Sequence, residues 1–112
     1  MQISYRNKKV SQQCTKLGKA KQDFPSKVAL KLHRLVNFLE SAETLKDVIS
    51  YKSYNFHDLK GDKLGQYAFD IDGRACSYRL IVSFEGISKE TIFSDASSIQ
   101  LIEIEEVSKH YE

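Results

Sequence analysis

Residues 67–84 read YAFDIDGRACSYRLIVSF. Tyr67, Phe69 and Ile71 alternate with small or polar residues, and after Asp72–Gly73 the alternation resumes through Tyr78, Leu80, Val82 and Phe84. A period of two on both sides of a turn dipeptide predicts an antiparallel hairpin with one buried face. The opposite face carries Ser77, Arg79 and Ser83, which must meet solvent or a ligand.

Upstream of this hairpin the period is helical. Val28, Leu32, Leu35 and Leu39 recur at i, i+4, i+7 and i+11 behind an Asp23-Phe24-Pro25 start signal, which predicts an amphipathic helix of about four turns. Asn7 is placed to cap an earlier helix through Val10, Cys14 and Leu17, which Gly18 weakens or ends. Thr44 with Asp47 forms a capping arrangement for a short turn around Leu45–Ile49. Residues 1–5 predict a strand, and Ile99–Val107 another. The segment from Ser88 to Ser98 reads as a polar loop, with Ile92 and Phe93 prolonging the preceding strand pairing. The expected architecture is α+β: an N-terminal strand and helices packed on one face of a small antiparallel sheet of three or four strands. Its core is expected from Val28, Leu32, Leu35, Leu39, Tyr67, Phe69, Tyr78, Leu80, Val82 and Ile102.

At 112 residues, 41% hydrophobic and 29% charged, with one Pro and five Gly, the chain (1–112) has the size and composition of one globular domain. No apolar run reaches the ~18 residues of a membrane span, and no signal-peptide core follows Met1, so a cytoplasmic protein is expected. Cys14 and Cys76 lack the paired spacing of a zinc site and are expected as buried small hydrophobes. Charge is distributed unevenly. Residues 1–65 hold thirteen Lys/Arg and six Asp/Glu, whereas residues 66–112 hold four and nine. A basic half suggests a polyanionic partner, nucleic acid first, because clustered cations release counterions from phosphates. The alternatives are solvated helix faces, or a basic half balanced by the acidic half inside one fold.

No phosphate-binding loop, dinucleotide-binding glycine pattern, nucleophile elbow or metal-ligand spacing occurs, so neither a cofactor nor a metal is expected. Near the strands lie His57, Lys60, Arg74, Arg79, His110 and Tyr111. Metal-free RNA cleavage needs these types: a base for the ribose 2′-OH, cations for the phosphorane charge and an acid for the leaving oxygen. Purely structural roles are the alternatives: His57 as a structural histidine, Lys60–Gly61 as a turn, Arg79 paired with an acid such as Asp70 across the hairpin, His110 and Tyr111 as a disordered terminus, and Tyr51, Tyr54 and Phe56 as packing rather than base-stacking groups.

The run from His57 through Leu59-Lys60-Gly61, Gly65 and Tyr67, followed by Tyr78-Arg79-Leu80 on the next strand and a short terminus with His110 and Tyr111, resembles the HigB toxins of the RelE/ParE superfamily. Cys14, Ala20, Lys21 and Phe24 ahead of the Ala29–Leu39 helix extend the resemblance over nearly the whole chain. It implies a RelE-like fold and a ribosome-dependent mRNA endonuclease, or mRNA interferase, that inhibits translation. The implied partners are the ribosome, its mRNA and a HigA-like helix-turn-helix antitoxin. Lys60 and Arg79 would hold the scissile phosphate, with His57 assisting and His110 and Tyr111 transferring protons or orienting RNA. Lys8, Lys9, Lys16, Lys19, Lys27, Lys31 and Arg34 on the helices, with Arg74, would face RNA. On this reading Arg79→Ala removes activity and leaves folding intact.

The sequence departs from relatives that end Asp-Tyr-His: here the end is Ser108-Lys109-His110-Tyr111-Glu112, which leaves the general base open. Two other classes compete. One is a ParE-like protein that poisons DNA gyrase by binding, and the other an inactive relative retained as an antitoxin- or RNA-binding module.

Overall fold

The structure, a computed structural model, describes residues 1–109. Strand β1 (Gln2–Tyr5) leads into helices α1 (Lys8–Thr15), α2 (Leu17–Asp23), α3 (Ser26–Ser41) and α4 (Leu45–Ile49). Then come β2 (His57–Asp58), β3 (Tyr67–Asp70), β4 (Tyr78–Ser83), α5 (Lys89–Ser94) and β5 (Leu101–Lys109).

Local chemistry explains the helix boundaries. The Asn7 side chain accepts a hydrogen bond from the Val10 N–H at 2.9 Å and so opens α1. The break before α2 falls at Lys16, whose backbone is extended (φ −122°, ψ 107°), and not at Gly18, which lies inside α2. Pro25 immediately precedes α3, where its fixed φ suits entry into a helix. Thr44 and Asp47 form the expected capping box of α4.

The strands form one five-stranded sheet in the order β1-β5-β4-β3-β2. It is mixed, where an antiparallel sheet of three or four strands was expected. β1 runs parallel to β5, from Gln2 opposite Leu101 to Tyr5 opposite Ile104. Parallel neighbours need a long crossover, and the chain between these two strands supplies it. The additional strand is the two-residue β2, paired with β3.

Burial follows the alternation of the strands. Leu32, Leu35 and Leu39 of α3 pack with Tyr67, Phe69, Leu80, Val82, Ile102 and Ile104 in the core cluster. Each such side chain, fully buried, contributes ~1.5–3 kcal/mol. Tyr78 is only half-buried; its ring meets Phe24 edge-on at 5.6 Å, and the Lys109 ammonium lies 5.8 Å from its centroid. Between the Ile81–Glu106 and Val82–Ile104 pairs β5 holds one extra residue, a bulge. It shifts the alternation by one: Ile102 and Ile104 face the core before it, and Val107 packs against the core after it.

Residues 88–98 are not the polar loop expected. Ser88 caps α5 by accepting from the Thr91 N–H at 3.2 Å, and Ile92 is fully buried. A six-residue helix with one buried side chain shows no 3.6 period, so its polar residues read as a loop. Lys89 ties this helix to β2 through an ion pair with Asp58 at 2.9 Å, and the nearby ammonium holds the Asp58 carboxyl below the usual range.

Cys14 is buried as expected, while Cys76 is half-buried. Burial pushes the Cys14 thiol up to about 12. At pH 8 it therefore stays a neutral thiol, and the thiolate is the reactive form. We expect Cys14 to resist alkylation in the folded protein and to react once the chain is unfolded, as peptide mass mapping of labelled thiols would show. Rapid native labelling would contradict this packing.

Candidate functional site

The sheet face opposite the core carries an open cleft of about 500 Å³. Two rungs of paired residues form its floor. In one, His57 lies opposite Ala68 and Ala68 opposite Ile81; in the other, Asp70 lies opposite Arg79 and Arg79 opposite Ser108. Their β3 members are two residues apart, so the rungs are roughly 7 Å apart. The β5 bulge restores Ser108 to this face. The wall is the segment between β2 and β3, with Leu59, Lys60, Asp62 and Lys63, and Asn55 and Arg74 complete the lining.

The wall owes its shape to two glycines. Gly61 and Gly65 sit at φ +69° and +94°, in the left-handed region disfavoured for residues with a Cβ. The Leu59 N–H donates to the Gln66 carbonyl at 3.0 Å and closes the loop below them. Lys60 is thereby held at the exposed lip, and its ammonium has no ion pair among the described residues. Lys63 on the same loop pairs with Glu106 at 3.1 Å.

Arg79 is tightly held. Its Nε lies 2.9 Å from Asp70 Oδ1, with the two side chains 14% and 1% exposed. Nη1 donates to the carbonyls of Cys76 and Tyr78, and Nη2 donates to the Arg74 carbonyl at 3.3 Å. Three of the five guanidinium N–H groups are thus hydrogen-bonded to carbonyls and Nε stands in ion-pair contact with Asp70, which leaves one Nη2 N–H for a ligand. The Arg79–Asp70 pairing weighed from the sequence is present. The Arg74 side chain is exposed and makes no ion pair among the described residues.

His57 is half-buried, and its Nδ1 lies 2.7 Å from the Asn55 carbonyl. A carbonyl only accepts, so Nδ1 carries the proton, and in the neutral ring Nε2 keeps its lone pair. Asn55 also donates from its side-chain amide to Asp70 Oδ2 at 3.3 Å. The cleft thus offers a proton acceptor in His57, two cations without an ion pair among the described residues in Lys60 and Arg74, the paired Lys63, and Arg79 with a single spare donor, beside the carboxylates of Asp62 and Asp70. This set suits an anion whose neighbouring hydroxyl loses a proton. Among the described residues no three His, Cys, Asp or Glu side chains gather to hold a metal ion.

Of the residues singled out in the sequence, His57, Lys60, Arg74 and Arg79 line this one cleft. His110 and Tyr111 lie outside the described residues. The helix cations Lys8, Lys9, Lys16, Lys19, Lys27, Lys31 and Arg34 do not line it. Several are neutralised within the fold: Lys19 by Asp23 at 3.3 Å, and Lys27 and Lys31 by Asp72 at 3.5 and 4.0 Å. Together with Arg6–Glu105 and Lys63–Glu106, these pairs fold much of the charge asymmetry back on itself. Asn55, Lys63 and Ser108 were not anticipated. For Ser108 a signal existed, since the spacing of Ile102, Ile104 and Val107 changes from two to three.

No protein-family model matches the chain, and no curated protein matches it. Among solved structures it is similar to a YoeB/ParE toxin from Agrobacterium tumefaciens, with a TM-score of 0.55 and 17% identity over 99% of this chain and 100% of that one. What the two share is the fold, which in this chain is α+β, with helices on a five-stranded mixed sheet. Among the described residues no helix is long and apolar enough to cross a membrane.

Proposed function

We propose that this protein is the toxin of a toxin–antitoxin pair, of the HigB kind, and that it cuts mRNA on the ribosome. The observation that carries this reading is the convergence of His57, Lys60, Arg74 and Arg79 on one cleft of a RelE/ParE-like fold. In the proposed reaction His57 Nε2 accepts the proton of a ribose 2′-OH. The 2′ oxygen attacks the adjacent phosphorus in line and the bond from phosphorus to the 5′ oxygen breaks. The leaving oxygen takes a proton from His110 or Tyr111, and the products are a 2′,3′-cyclic phosphate and a 5′-hydroxyl. Lys60 and Arg74, with the spare N–H of Arg79, hold the charge that builds on the phosphorane.

Among the described residues no Phe, Tyr or Trp lines the cleft to stack on a base, so the ribosome would supply the orientation of the message. The helix cations without an ion pair among the described residues, Lys8, Lys9, Lys16 and Arg34, would contact ribosomal RNA. A helix-turn-helix antitoxin of the HigA type would neutralise the toxin. Induction in a bacterium tests this reading. Message ends mapped after induction should fall within translated codons; induction of the DNA-damage response with intact message would sink it.

One observation favours the gyrase-binding alternative. Arg79 is held as a structural strut by Asp70 and three carbonyls. A fold that needs Arg79 for its own cohesion would keep it without any phosphate to bind. The cations Lys60 and Arg74 answer that objection, because neither is needed to satisfy a buried partner among the described residues.

A further inference from the structure

Asn55 has the only positive φ outside glycine among the described residues, at +47°. It ends a short 3-10 turn, Lys52–Tyr54, and turns the chain into β2. Asparagine is among the few side chains that tolerate this conformation. From it the residue reaches two groups of the cleft that share no hydrogen bond or ion pair among the described residues. Its carbonyl accepts from His57 Nδ1 at 2.7 Å, and its side-chain amide donates to Asp70 Oδ2 at 3.3 Å. Asp70 in turn holds Arg79.

We infer that Asn55 is the positioning residue of the cleft, which fixes His57 in its Nδ1–H form and braces the Asp70 carboxylate that holds Arg79. The inference rests on the nuclease reading for its consequence and on the geometry alone for its structural content. A free histidine ring favours the Nε2–H form, in which Nε2 cannot accept a proton. The Asn55 carbonyl reverses that preference, and it is aimed at the ring because the backbone of Asn55 is left-handed. The same residue sets the side of the carboxylate that Arg79 does not use.

Two variants separate the functions. Asn55→Gly keeps the left-handed backbone and removes the amide. Asn55→Ala removes the amide and disfavours the backbone as well. Long-range proton–nitrogen spectra of the imidazole, recorded with the ring neutral, read its tautomer directly, and exchange of the Arg79 guanidinium protons reads the brace. We expect wild type and Asn55→Gly to show the Nδ1–H form, with faster Arg79 exchange in the glycine variant. Asn55→Ala should show a mixture of tautomers and cut ribosome-bound message on the order of 10²-fold more slowly.

Should the alanine variant fail to fold, the exchange rate in Asn55→Gly still decides about the brace, and its tautomer about the carbonyl. A folded Asn55→Ala with an unmixed Nδ1–H ring, or Arg79 exchange unchanged in both variants, overturns the inference. Predicted tautomers in a protein that cuts no message would retain the role of Asn55 and remove the nuclease reading. Cleavage with tautomers indifferent to Asn55 would do the reverse.

Discussion

Lys60→Ala should lower ribosome-dependent cleavage by on the order of 10²–10³ while leaving thermal stability unchanged. Lys60 stands at the exposed lip of the cleft and has no ion pair among the described residues. Surface substitutions of this kind usually shift stability by less than about 0.5 kcal/mol. A preorganised donor aimed at developing charge is worth far more in the transition state than in the ground state. The effect should therefore fall on the rate of cleavage, measured in single turnover on programmed ribosomes, rather than on ribosome binding. Lys60→Arg keeps the charge at the lip and should recover part of the loss. A folded Lys60→Ala variant that cuts as fast as wild type would take Lys60 out of the site.

Arg79→Ala should do something different from what the sequence alone suggests. Reading Arg79 as a phosphate-binding group on an open strand face predicts lost activity with intact folding. In the structure its removal leaves the carboxylate of Asp70, 1% exposed, without its cation. Uncovering one member of a buried ion pair costs ~3–5 kcal/mol, a large part of the ~5–15 kcal/mol that holds a typical domain together. Arg79→Ala is therefore expected to melt far below wild type, so its loss of toxicity says little about chemistry. The double variant Asp70→Leu/Arg79→Met removes both charges and should regain much of the stability, as replacement of buried ion pairs by apolar groups often does. Its cleavage should stay low if the spare N–H of Arg79 serves the phosphorane. Thermal melts of Asp70→Leu, Arg79→Met and the double variant close the cycle; an Arg79→Ala protein as stable as wild type would contradict the packing described.

These two expectations differ because one residue was legible in the sequence and the other only half so. Hydrophobic period predicts the hairpin around Asp72–Gly73 and the long helix α3 because both bury one face, and burial writes its period into the chain. Opposite charges at Asp70 and Arg79, set among apolar strand residues, suggest their pairing, but not that three carbonyls would also claim the guanidinium. Those carbonyls belong to Arg74, Cys76 and Tyr78, in a loop whose path the sequence does not specify.

The parallel pairing of β1 with β5 was not legible, since no local pattern records which strand a distant one will join. Nor was Asn55. A left-handed residue at the end of a single turn depends on where the chain must go next, and asparagine is common in turns for several other reasons. The helix cations show the opposite failure. Their spacing was plain, yet Asp72, from the acidic half, neutralises two of them only after folding.

In the proposed reaction a ribose 2′-OH attacks the adjacent phosphorus of a message held by the ribosome. Purified protein, mixed with ribosomes carrying a defined message and with the same message free, tests it most directly through the chemistry of the fragment ends. Cuts are expected inside translated codons, with 2′,3′-cyclic phosphate on the upstream fragment, 5′-hydroxyl on the downstream one, and little cutting of free message. Intact message on the ribosome, or fragments bearing 5′-phosphate ends, would contradict it.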